Sequence, residues 1–149
     1  MDYRRILAPT DFSAPAKKGL ERAAECARRS GAKAMLLFVI EKAMIAPMGM
    51  IHQAPVTFGG EGDLLGEAVD DSEKRLKALR DDLFAGIDCA TKVAVATTAP
   101  AGILEQAESF KPDLIVLSSH GRSGVMHLLI GSTSEKIARH APCEVLVVR

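Results

Sequence analysis

No apolar run in the chain approaches the roughly 20 residues that a helix needs to span a bilayer. The first residues, Met-Asp-Tyr-Arg-Arg, lead straight into a predicted strand and do not read as a signal peptide. A membrane partner is therefore not expected. The 19 Lys and Arg residues are balanced by 19 Asp and Glu residues. That balance argues against a broad nucleic-acid surface, which needs a basic excess. Cysteine is scarce: Cys26, Cys89 and Cys143 are far apart, and no Cys-x-x-Cys pair occurs. Neither a disulfide framework nor a zinc site is indicated, and a reducing cytoplasm is the expected compartment. None of the four histidines, His52, His120, His127 and His140, has a close His or Cys partner of the kind a metal site uses. Internal repeats and low-complexity segments are also lacking.

What is present suits one globular domain over residues 1–149. The 149 residues are long enough to bury a real core, and 48% are hydrophobic and 26% charged. Arg5 to Pro9 holds a short apolar run and predicts a first strand, buried on both faces. Ser13 is a candidate N-cap for the helix that follows, with Pro15 in its first turn. Leu20, Ala23, Ala24 and Ala27 form that helix's apolar stripe, and Gly31 ends it. Ala34 to Ile40 is a second buried strand. Residues 41–62 are rich in glycine, proline and methionine and predict a flexible insertion or loop. Leu65, Val69, Leu76, Leu79 and Leu83 then mark one stripe of a helix over 63–85. Asp88 to Ala96 alternates and predicts a strand nearer an edge. A short helix over 100–110, a strand over 114–117, a helix over 132–140 and a strand over 145–148 complete the chain. Strict alternation predicts a parallel sheet with helices on both faces. Such sheets bind ligands at the carboxyl ends of strands, where the winding direction switches.

The candidate site lies in the last third. Ser118, Ser119, Gly121, Ser123, Gly124, Gly131, Ser132, Thr133 and Ser134 place nine small residues within seventeen positions between a strand and a helix. A strand running through small polar residues into a helix N-terminus is a way to build an anion cradle. Arg122 could add charge, and His120 either contacts a phosphate, carries a proton or is a loop residue that shapes the site. The alternative is an ordinary β-α connection with normal capping, since Ser132-x-x-Glu135 has the form of a capping box. No Gly-Lys-Ser/Thr follows, which excludes the NTPase P-loop. Asp11, at the end of the first strand, is either a carboxylate for ribose hydroxyls or a turn residue. Val39 is either the border of a base site or core.

These residues together resemble the universal stress protein family over nearly the whole chain. The resemblance is carried by Ile6-Leu7-Ala8-Pro9-Thr10-Asp11-Phe12-Ser13, by Leu36 to Ile40, and by the C-terminal third. Nucleotide-binding members carry Gly-x2-Gly-x9-Gly-Ser/Thr, and Gly121, Gly131 and Ser132 fit that register. Ser118 stands where the family has its leading glycine, and Thr98 stands where many relatives have another. The resemblance implies a Rossmann-like three-layer α/β/α sandwich with a five-stranded parallel sheet of order 3-2-1-4-5. It implies ATP, with or without magnesium, as ligand, and a homodimer formed through Val145 to Val148. Adenine and ribose would lie near Pro9, Thr10, Asp11 and Val39. Phosphates would lie against Gly121, Gly131, Ser132, Thr133 and Ser134, with Leu117 and Ser118 beneath and His120 and Arg122 beside them. The function implied is that of a nucleotide-responsive stress protein rather than a fast enzyme. A non-nucleotide-binding interaction module of the same fold stays open as an alternative, and slow ATP hydrolysis or phosphotransfer as a third reading.

Overall fold

The computed structural model describes residues 2–45, 60–120 and 131–149, with backbone only for 60–63. Among the described residues, besides the short helical stretch 42–45, nine elements alternate: β1 (Arg5–Pro9), α1 (Ala14–Ser30), β2 (Lys33–Glu41), α2 (Gly60–Leu83), β3 (Cys89–Ala96), α3 (Ala99–Phe110), β4 (Leu114–Ser118), α4 (Ser132–His140) and β5 (Glu144–Val148). All strand pairs are parallel, and the sheet order is β3-β2-β1-β4-β5. The winding runs from β1 outward to β3, then returns to β4 on the other side of β1. The switch point therefore lies between β1 and β4.

The strands carry apolar residues on both faces because both are covered. Ile6, Ala8, Leu36, Phe38, Ile40, Leu114 and Val116 share one core with α1 and α2. Leu7, Leu37, Val39, Ile115 and Leu117 share the other with Ile103 and Ala107 of α3 and Ile137 of α4. The predicted stripe of α2 packs as expected: Leu76 is fully buried, and Leu65, Val69, Leu79 and Leu83 lie against the first core. Ser13 caps α1, its Oγ accepting the Ala16 N–H at 3.3 Å, and Gly31 closes the helix with φ 66°. β3 is an edge strand, half exposed along its length, as its alternation predicted.

The expectation of a loop over 41–62 is corrected at both ends. Glu41 still belongs to β2, paired with Ala96, residues 42–45 are helical, and α2 begins at Gly60. A helix anchored by a packed stripe propagates toward its start even through residues of poor propensity, since each added turn needs no new nucleus. At its other end α2 stops at Leu83 rather than Ala85, ahead of Gly86 at φ 77°. Residues 46–59 lie outside the described residues, as do Gly121, Arg122, Ser123 and Gly124. The three cysteines are free. No described helix is long and apolar enough to cross a membrane.

The amino ends of β1 and β4 are joined by Asp113. Its carboxylate accepts the N–H groups of Arg4 at 2.6 Å and Arg5 at 2.8 Å, and its own N–H donates to the Arg5 carbonyl at 2.8 Å. The two backbone donors hold the Asp113 carboxyl below the usual carboxylate range. Its ionised form is thus favoured in the folded state. The resulting stability is complete above the unfolded value of about 3.9 and is lost as pH falls through the folded value. Asp113→Asn should lower stability at neutral pH by about 1 kcal/mol, a modest figure because the group is solvent-exposed. Denaturant midpoints should show the gap to wild type closing as pH drops below about 4.

Candidate functional site

A cleft of about 260 Å³ opens at the carboxyl ends of the strands, over the switch point between β1 and β4. One side is formed by Pro9 at the end of β1 with Thr10 and Asp11 after it, and by Leu37, Val39 and Glu41 of β2. The other is formed by Leu117, Ser118 and His120 at the end of β4, and by Gly131, Ser132, Thr133 and Ser134 at the start of α4. Eleven of the thirteen residues singled out from the sequence thus converge on one cavity. The remaining two, Gly121 and Arg122, fall outside the described residues.

The β1 end is shaped by a chain of local hydrogen bonds. Thr10 N–H donates to the Leu37 carbonyl at 2.8 Å, and Thr10 Oγ1 accepts the Phe12 N–H at 3.1 Å. Asp11 Oδ1 accepts the Ser13 N–H at 2.9 Å. The turn reading of Asp11 is therefore realised, and the same residue lines the cleft. Phe12 pays for this tight turn with φ 64°, in the left-handed region that costs a residue with a Cβ about 1 kcal/mol. Its ring is held 4.6 Å from that of Phe38, with the Arg75 guanidinium 4.0 Å from its centroid. Such cation–π contacts contribute roughly 0.5–1 kcal/mol at exposed sites and offset the strain.

The β4 end is a backbone junction. Ser119, only 1% exposed, donates its N–H to the Val148 carbonyl at 2.7 Å and accepts the Gly131 N–H at 2.7 Å. Ser134 Oγ donates to the Ser118 carbonyl at 2.8 Å. Gly131 is the N-cap of α4, with φ −70° and no side-chain cap. The capping-box reading is corrected accordingly: Ser132 is the first helical residue, not the cap. The cap position is decided by the Gly131–Ser119 bond. The backbone N–H groups of Ser132, Thr133 and Ser134, which have no partner within the helix, occupy its first turn at the cleft wall. The expected hydroxyl donors divide: Ser134 spends its proton on β4, whereas Ser132 is exposed.

Ser118 sits without strain. The only positive φ values among the described non-glycine residues are those of Phe12 and Lys111. The position held by a glycine in the family motif therefore does not require glycine here, and the Ser118 hydroxyl donates to the His120 carbonyl at 2.6 Å. Three features escaped the sequence reading. Glu41 Oε1 accepts the Ala99 N–H at 3.0 Å and joins the first turn of α3 to the cleft wall. A Cβ on Gly102 would fall 2.7 Å from Val39 Cγ1, and one on Gly19 would fall 3.0 Å from the Ser118 nitrogen. Only the absence of a side chain lets α3 and α1 approach the cleft this closely. Among the described residues, no cluster of His, Cys, Asp and Glu could hold a metal ion.

The sequence model of the universal stress protein family matches residues 2–149. The chain belongs to the universal stress protein family. Within it, universal stress protein A homolog 2 of Coxiella burnetii is 31% identical over 149 residues, spanning 99% of this chain and 96% of that one. Universal stress protein MJ0531 of Methanocaldococcus jannaschii is 28% identical over 148 residues, spanning 99% of this chain and 82% of its own. Among solved structures, hypothetical protein MJ0577 has a TM-score of 0.82 at 24% identity, covering 99% of this chain and 96% of that chain. A universal stress protein in complex with cAMP gives 0.64 at 23% identity, covering 100% and 98%. One from Archaeoglobus fulgidus in complex with dAMP gives 0.67 at 17% identity, covering 100% of both chains. At these identities the structural likeness shows a shared fold.

Gly19 offers a direct test of how the cleft is held. A methyl group there meets β4 backbone, at Ser118 N and Leu117 C, which has no rotamer with which to yield. Gly19→Ala should cost about 1–2 kcal/mol in the denaturant midpoint, and Gly19→Val more, in proportion to the displacement of α1.

Proposed function

We propose that this universal stress protein binds an adenine nucleotide, ATP foremost, in the switch-point cleft, and acts as a ligand-responsive dimer rather than as a fast enzyme. The observation that carries the reading is the uncapped N-terminus of α4 opening on that cleft. Unpaired N–H groups and the positive end of the helix dipole favour a phosphate there. The far end is of different character. Val39, Met44, Ala99 and Ile103 supply apolar walls suited to a base. Thr10 and Asp11 lie at the β1 end, where a carboxylate can accept from ribose hydroxyls. The volume contributed by the described residues, about 260 Å³, lies just below the range for small-molecule pockets, about 300–1,000 Å³. Two family members of the same fold hold cAMP and dAMP. Any magnesium would arrive with the triphosphate.

The unstrained Ser118 supports this reading over the interaction module, because the missing glycine imposes no backbone penalty. A dimer fits the exposed side of β5, whose Val145 to Val148 are only half buried at the sheet edge. An unpaired apolar edge invites pairing with a second copy. A cytoplasmic setting fits the three free thiols.

Calorimetry with ATP and magnesium should show saturable binding, and no affinity up to millimolar would contradict the reading. Gly131→Val is the sharper control: its Cβ would lie 3.0 Å from the Ser119 carbonyl oxygen at the mouth of the phosphate end. It should abolish ATP binding while circular dichroism retains the fold. Sedimentation should give a dimer that Val147→Asp, placing a charge on the edge strand, converts to monomer.

A further inference from the structure

Leu37, Val39 and Glu41 are alternate residues of β2 and so share one face of the sheet. Leu37 and Val39 belong to the second core, with residues of α3 and α4. Glu41 is the last of the row, where the strand ends beside the first turn of α3. Gly102 lets that helix approach so closely that a Cβ there would meet Val39 at 2.7 Å. Val39, Glu41, Met44, Ala99 and Ile103 therefore stand together at the base end of the cleft, and Glu41 is the polar side chain among them.

The start of α3 is already supplied with acceptors. Thr98, its N-cap, accepts the Ala101 N–H through Oγ1 at 3.4 Å, and Glu41 Oε1 accepts the Ala99 N–H at 3.0 Å. The carboxylate also brings negative charge to the positive end of the helix dipole. α4 has no side-chain cap. The two helix starts that line the cleft thus differ in what they can receive. An anionic group of a ligand is favoured at α4, whereas at α3 the protein's own carboxylate occupies that place.

Glu41 has a second oxygen to use. Among the described residues, Ala99 is the partner of its carboxylate, and no lysine or arginine lines the cleft to compete for it. None of their buried side-chain oxygens lacks a partner, so Oε2 lies where solvent or a ligand can reach it. An ionised carboxylate only accepts hydrogen bonds. It favours an N–H set against it and repels a carbonyl oxygen. With one oxygen held by Ala99, it cannot grip two donors of a base as a fork. It suits a base edge that offers an exocyclic amino group, as adenine does at its six position. Guanine carries a carbonyl oxygen there, and so does hypoxanthine.

We propose that Glu41 is the specificity-determining residue of the base site: its second oxygen accepts the exocyclic amino group of adenine and disfavours 6-oxopurines, while its first oxygen holds the start of α3. This rests on the nucleotide reading above.

Calorimetry with ATP and with inosine triphosphate, whose base carries the 6-oxo group in place of the 6-amino group, tests it. Wild type should bind ATP about tenfold more tightly, the effect of one hydrogen bond to a charged acceptor. Glu41→Gln is the informative variant. Its amide has one oxygen, which the Ala99 N–H takes, and it then presents an NH2 donor toward the base. The preference for ATP should fall about tenfold, to equality or below, with the denaturant midpoint close to that of wild type. Glu41→Ala should lose the preference too, and covers the case in which glutamine disturbs the fold. A role confined to holding α3 would weaken both nucleotides by the same factor and leave their ratio at the wild-type value. Equal affinities in wild type would overturn the proposal, as would an unchanged ratio in Glu41→Gln, or in Glu41→Ala where glutamine does not fold. Binding of neither nucleotide by wild type up to millimolar would overturn the nucleotide reading itself, and this proposal with it.

Discussion

The Ser119 carbonyl accepts the Gly131 N–H at 2.7 Å, and the same residue's N–H reaches Val148 at 2.7 Å. Through these two bonds the end of β4 is tied to the start of α4 and to the edge strand β5. The first bond places the N-terminus of α4 against the cleft and takes up the N-cap's own donor. The three N–H groups that follow have no partner among the described residues and lie at the cleft wall. Were Ser132 the cap, its hydroxyl would cover one of them and the anion site would be smaller. The Ser134–Ser118 bond adds a second tie one helical turn along.

This junction works because the sheet beneath it is rigid. β1 and β4 are buried on both faces and neighbour each other where the winding reverses. The chain must leave their carboxyl ends in opposite directions, and a crevice results. α1 can cover one side only because Gly19 admits the β4 backbone, and α3 the other only because Gly102 admits Val39. The cleft is therefore a product of backbone approach as much as of its lining side chains. The strained Phe12 belongs to the same economy: its turn sets Asp11 at the rim, and aromatic and cation–π contacts hold it there.

Much of this was legible in the sequence. Short apolar runs marked β1, β2 and β4, because a strand buried on both faces leaves no room for alternation, and also β5, a half-buried edge strand. The stripe of α2 and the caps Ser13 and Gly31 are local signals with local causes. The residues that line the cleft were also marked in the sequence, as small residues between a strand and a helix, a pattern that an ordinary β-α connection shares. What was not legible depended on contacts between distant parts of the chain. The capping box was outcompeted by a backbone bond from Gly131 to Ser119. Residues 60–62 resembled loop by composition, but the stripe that stabilises their helix lies further along. The close approaches at Gly19 and Gly102, and the bond from Glu41 to Ala99, become visible only once partners roughly 60 to 100 positions apart are brought together. Ser118 looked like a departure from a glycine position; the backbone there has no need of one.

The central claim is that the open first turn of α4 receives a phosphate. Backbone amide shifts of the 15N-labelled protein, followed as ATP is added, address it most directly. The account predicts that the amides of Ser132, Thr133 and Ser134 move downfield together as they take up an anionic acceptor, with the same saturation point as Val39 at the opposite end of the cleft. Saturable shifts confined to another surface, with these three amides unmoved, would contradict it.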